Sequence, residues 1–241
     1  LVLAEQVDVG NDGRSNRGFV FTEHIPWAQW GILAVANRVA SLIGHEVGHL
    51  LGYAHASHYS EGAGELSSVA VEYLIDSTAD TTDDDGEVTL REAIAAANSN
   101  VRVGDAPAGS ATETDVIRFA ESLMGVTIAL IGQPLTISDN LFVLGPGAEL
   151  LKVDAGGQSR VFHIEDDVEA SLVGLTLSGG AADVGGGICN ESGTLTLTGC
   201  IVSGNAATGE NSAGGGIYNS LGTLTLLDSE VSDNTAAGNN A

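Results

Sequence analysis

Aromatic side chains are scarce in this sequence, at 5% of 241 residues. With 33 glycines and an apolar content of 43%, the core has to be built from Ala, Val, Leu and Ile. Such a core suits thin, regular stacking better than a bulky globular centre. Basic residues are scarcer still: 8 Lys and Arg stand against 32 Asp and Glu, a net charge of −24. Nothing here can neutralise a row of phosphates, which argues against nucleic acid as a partner. Anionic membrane surfaces are disfavoured for the same reason, whereas Ca²⁺, a hard cation with oxygen ligands, is compatible with the charge. The two cysteines, Cys189 and Cys200, are too few for a disulfide framework. Either they pair with each other or they are two small buried apolar side chains. No apolar run has membrane-spanning length, because Asn37 and Arg38 interrupt the best stretch, "GILAVANRVASLIG". No signal peptide is visible, the chain opens "LVLAEQVDVG" without Met, and it stops within a repeat, so it reads as a fragment.

What the chain does carry is one sharp chemical motif. Residues 44–55 read "GHEVGHLLGYAH" and fit H-E-x-x-H-x-x-G-x-x-H with His45, Glu46, His49, Gly52 and His55. The surrounding pattern supports a helix. After Pro26, apolar residues recur at three and four spacing from Ile32 through Val35, Val39, Leu42, Ile43 and Val47 to Leu50. Gly52 is a natural stop. On that helix His45 and His49 lie one turn apart and can reach one metal, while Glu46 is turned aside to act as general base on a water. Gly52 lets the chain break sharply so that His55 returns as third ligand. Three protein ligands leave a fourth position open, the arrangement of catalytic rather than structural zinc.

The segment resembles the metzincin zinc peptidases, and that resemblance implies zinc-dependent peptide hydrolysis with Glu46 catalytic and His45, His49 and His55 on the metal. Two features depart from the family pattern. The only methionine, Met124, lies 69 residues past His55, beyond a small-residue linker and inside a β segment. Only 44 residues precede His45, too few for the sheet that forms the upper wall of the family's cleft.

Downstream of the linker at 61–67 the texture changes. "VAVEYLIDSTADTTDDDGE" gives a short strand and an acidic turn, and "VTLREAIAAAN" a helix over Val88–Asn98. From Asp115 onward short strands alternate with Gly, Asn, Asp and Ser, with no helix long enough for a βαβ unit. Repeats set the architecture. "GGGICNESGTLTLTGCIVSGNAA" from Gly185 superposes on "GGGIYNSLGTLTLLDSEVSDNTA" from Gly214 at an offset of 29. A weaker copy, "SLVGLTLSGGAA", precedes at an offset of 25, with the difference confined to a loop. Constant strand spacing with variable loops marks a solenoid of one coil per repeat. In "TLTLT", Leu195 and Leu197 point in and the threonines out. Asn190 over Asn219, and Asn205 over Asn234, form ladders at the turns. The expected fold is mainly β, a right-handed parallel β-helix with three short strands per coil, preceded by a helical zincin-like fragment; a β-sandwich is the alternative.

The run "DSTADTTDDDGEVTLREAIAAANS", with Leu90, Arg91, Glu92 and Ala93 at its centre, resembles the cap that precedes right-handed parallel β-helices in bacterial surface and secreted proteins. Val88 and Thr89 stand where that cap usually has a Cys. The resemblance covers roughly residues 70–241 and implies an adhesin-like or display scaffold, although polysaccharide lyases share the fold. Counted from Thr81, Asp83, Asp85 and Glu92 fall on ligand positions of an EF-hand-like Ca²⁺ loop, whose first position is here Thr; a solvated acidic turn is the other reading. Asp154, His163, Asp166 and Asp167 are candidates for a glycan-cleaving cluster or are plain turn residues.

The expectation is therefore two modules, a zinc-site fragment at 1–60 and a capped β-helix at 68–241. Together they would make a secreted or cell-surface zinc peptidase acting on protein or peptide, with the β-helix holding it near a surface glycan or partner protein. A non-enzymatic adhesin with a vestigial peptidase segment is the alternative, and a polysaccharide-active β-helix enzyme a third. No membrane span is expected in this chain.

Overall fold

In a computed structural model the chain divides into two compact units, Leu1–Ala63 and Gly64–Ala241. The structure describes residues 70–238 and, in the first unit, one short antiparallel pair, Val7–Asp8 with Arg17–Gly18. The expected helix and zinc motif of residues 27–55 lie outside the described residues.

The second unit is a parallel β-solenoid. Its first sheet stacks Glu72–Ile75, Asp115–Phe119, Leu141–Leu144, Glu169–Val173, Thr194–Thr198 and Thr223–Leu227, every neighbour parallel. A second sheet stacks Val126–Ala129, Leu151–Asp154, Thr176–Ser178, Ile201–Ser203 and Glu230–Ser232. A third stacks Leu135–Ile137, Phe162–Ile164, Ile188–Asn190 and Ile217–Asn219. The parallel pairing rules out the sandwich, whose sheets are antiparallel. The internal repeat fits the observed register: Leu195 pairs with Leu224, Asn190 with Asn219, Val202 with Val231, and Ser178 with Ser203.

The last three coils add something the alternation pattern did not announce. A fourth sheet of two-residue strands joins Ala181–Ala182, Ala206–Ala207 and Thr235–Ala236. Two alanines have no apolar–polar alternation to read, so only tertiary pairing reveals them.

The core is the lumen. Ile117, Val143, Leu172 and Leu197 form one column, each paired in register with the next and each 0% exposed. Ile128, Val153, Leu177 and Val202 form another on the second sheet. On the third sheet the column changes character: Ile137 and Ile164 are followed by Asn190, also fully buried. Asn190 meets the cost of burial through its Nδ2, which donates to Gly193 O (3.0 Å) and Asn219 Oδ1 (2.6 Å).

One end of the solenoid is closed by a helix, Leu90–Ser99. The expected start at Val88 is corrected by two residues, because Thr89 is the N-cap. Its side chain accepts from Glu92 N while Glu92 Oε2 accepts from Thr89 N, a reciprocal capping box. Leu90, Ala93, Ile94, Ala96 and Ala97 are buried beneath it. Asn98 then stands in for a missing strand: its Nδ2 donates to Thr136 O (2.8 Å) and its Oδ1 accepts from Ser138 N (2.9 Å). Covering the edge in this way removes a row of free backbone groups from the first coil. Arg91 fixes the helix further, with Nε and Nη2 on Asp80 (2.7 and 2.9 Å) and contacts to the carbonyls of Gln133 and Pro134. No helix among the described residues is long and apolar enough to cross a membrane.

Candidate metal centre

Of the sequence-derived metal ligands, His45, His49 and His55, with the general base Glu46, lie outside the described residues. Asp83, Asp85 and Glu92 lie inside them. Asp83 and Asp85 are exposed, and Asp85 Oδ1 accepts from Glu87 N (3.1 Å). Glu92 is buried in the capping box. Burial pushes its carboxyl up; the Thr89 N–H opposes that, and the charges of Asp105 and Asp85 add to it. The acidic turn is organised around Asp105, whose carboxylate accepts from Gly86 N (2.7 Å) and Asp85 N (2.8 Å). Those bonds, Gly86 foremost, together with Arg102 hold Asp105 below the usual carboxylate range.

The residues considered for glycan cleavage take separate roles. Asp154 sits on the second sheet, where its carboxylate accepts from Gly156 N, Lys152 Nζ and Ser178 Oγ. Asp167 occupies a turn at φ 60°. His163 belongs to the third sheet, and there it meets two residues that the sequence reading did not associate with it.

Cys189 pairs in register with His163 on the strand of the preceding coil. Glu191 follows Cys189 by two positions and so faces the same side of the sheet. The donor atoms of His163, Cys189 and Glu191 all lie within 4.8 Å of one another, the group of this kind among the described residues. His163 Nε2 is 3.2 Å from Glu191 Oε1, off the line a hydrogen bond needs, and the nitrogen is buried without a hydrogen-bond partner. The Cys189 side chain is buried, at 2% exposure for the residue. Burial pushes its thiol up; the Arg160 guanidinium beside it pulls the other way, and the Glu191 charge pushes up again. Both cysteines are free. Cys200 lies away from this group in the lumen, its Sγ 3.4 Å from Leu172 O, so both behave as small buried side chains rather than as a disulfide.

The signal for this group was available in the repeat itself. Extending the register backward from Ile188 over Phe162 sets His163 beside Cys189. The coil that follows carries Tyr218 at the position of Cys189, so the His–Cys contact occurs at a single coil junction. Imidazole nitrogen, thiol sulfur and carboxylate oxygen together form the mixed donor set that borderline metals such as zinc accept.

No family model, no curated protein and no solved structure matches the chain.

Proposed function

We propose that the chain is a secreted or cell-surface, zinc-dependent peptidase segment of metzincin type, joined to a capped β-helix of the kind found in bacterial surface proteins. The coils wind right-handed in this reading, the hand that parallel strand crossovers adopt. The observation that carries the proposal is the spacing of His45, Glu46, His49, Gly52 and His55. His45, His49 and His55 supply three nitrogen ligands, and Glu46 stands one residue aside as proton acceptor. Bound zinc would contribute Lewis acidity toward a peptide carbonyl.

The solenoid suits a holding role. Its lumen is filled with aliphatic columns and its first coil is sealed by the Leu90–Ser99 helix, so it makes a stiff support that can keep the peptidase segment near a protein or glycan target. The same filled lumen favours a second reading, a non-enzymatic surface scaffold in which residues 45–55 no longer catalyse.

Hydrolysis of casein by the full chain supplied with zinc separates the two. The peptidase reading expects cleavage that vanishes in Glu46→Ala and His49→Ala. Cleavage that survives Glu46→Ala, or a folded chain with none at all, would overturn it.

A further inference from the structure

We propose that His163, Cys189 and Glu191 form a second metal site, on the outer face of the third sheet, that takes a borderline divalent ion such as zinc. The site is independent of residues 45–55 and does not rest on the peptidase reading.

Four observations converge on it. The three donor atoms lie within 4.8 Å of one another. A tetrahedral ion with bonds of about 2.0–2.3 Å spaces its ligands roughly 3.3–3.8 Å apart, so small side-chain rotations bring all three onto one centre. The backbone that carries them is rigid: His163 and Cys189 are neighbours in a parallel ladder, and Glu191 follows directly. His163 Nε2 is buried beside Glu191 Oε1 at 3.2 Å yet makes no hydrogen bond, which leaves its lone pair or proton without a use in the fold. Finally, the repeat does not require these residues. The next coil accommodates Tyr218 and Ser220 where Cys189 and Glu191 stand, within the same register.

The chemistry selects the ion. A thiolate and an imidazole disfavour Ca²⁺ and Mg²⁺, which want oxygen, and favour Zn²⁺ or Co²⁺. Two anionic donors, the Cys189 thiolate and Glu191, balance the divalent charge. Binding replaces the S–H bond of Cys189 by a metal–sulfur bond; the proton leaves to solvent and no electrons change hands. Arg160, the cation beside the sulfur, has to swing aside. Three protein ligands leave a fourth position for water or an external ligand.

The test is a Co²⁺ titration of the chelator-treated full chain, read by absorption. A thiolate–Co²⁺ site gives a charge-transfer band in the near ultraviolet that nitrogen and oxygen ligands cannot give. The band is expected in the wild type, in Cys200→Ser and in His49→Ala. It is lost in Cys189→Ser and weakened in His163→Ala and in Glu191→Gln, whose exposed side chain can change without unfolding the coil. Far-UV circular dichroism establishes that each variant is folded. A folded wild type without the band, or a band that persists in Cys189→Ser, overturns the proposal. Retention of the band in His49→Ala separates this site from the motif at 45–55, whichever way the peptidase test falls.

Discussion

Asn205→Ala probes how the solenoid tolerates a polar residue in its interior. Asn205 is 1% exposed. Its Nδ2 donates to Leu177 O (3.1 Å), Ser203 O (3.1 Å) and Asn234 Oδ1 (2.9 Å), and its Oδ1 accepts from Gly180 N (2.8 Å). These bonds tie three successive coils together. Truncation leaves the Gly180 N–H and the Leu177 carbonyl without their side-chain partner, each at a cost of about 1–3 kcal/mol when buried. The sum, about 2–6 kcal/mol, is a large share of the total stability of a domain, about 5–15 kcal/mol. Equilibrium unfolding in urea, followed by far-UV circular dichroism, reads the loss as a lower midpoint. Ser99→Ala is the control. Ser99 is exposed and its Oγ donates to Ala95 O (2.6 Å), a bond that water can replace, so a shift of under about 1 kcal/mol is expected. An Asn205→Ala midpoint equal to that of the control would refute the reasoning, because the ladder would then be decoration on a core held by aliphatics alone.

Two further outcomes follow from the cap and the second sheet. Asp80→Ala removes the partner of Arg91 from a site where the Asp80 side chain is 1% exposed and also accepts from Ile131 N, so a loss of about 3–5 kcal/mol in thermal or urea unfolding is expected. Arg91→Lys should not restore a wild-type midpoint, since an ammonium cannot make the two-pronged contact and reach Gln133 O as well. For Asp154, burial raises the carboxyl, but the bonds from Gly156, Lys152 and Ser178 outweigh it and the net shift is downward. A lowered folded-state pKa stabilises above the unfolded value of about 3.9 and loses that contribution as pH falls through the folded value. The stability gap between wild type and Asp154→Asn should therefore be open at pH 7 and narrow progressively as pH falls below the unfolded value; a gap independent of pH would contradict the assignment.

The coil was legible in the sequence because its physics is periodic. Leu195 and Leu197 alternate with threonines, and the same pattern returns at Leu224 and Leu226, so inward and outward faces and the register between coils could be read directly. What escaped was long-range or pattern-free. The two-residue strands at Ala181, Ala206 and Thr235 have no alternation. The clamp of Arg91 on Asp80, Gln133 and Pro134 joins segments far apart in sequence, and only the folded cap brings them together. The helix start moved from Val88 to Leu90 because Thr89 caps through its side chain, a choice set by its pairing with Glu92. The His163–Cys189–Glu191 group stayed hidden because Cys189 reads as a small apolar residue when taken alone. It becomes a ligand only once the preceding coil lays a histidine beside it.

The central claim, a zinc site at residues 45–55 carried by the solenoid, is tested most directly by the zinc content of the purified Cys189→Ser chain. That variant retains His45, His49 and His55 and lacks the sulfur ligand of the other site. The account predicts about one zinc per chain, lost when His49→Ala is added. A folded Cys189→Ser chain that emerges from zinc-replete medium without zinc would contradict it.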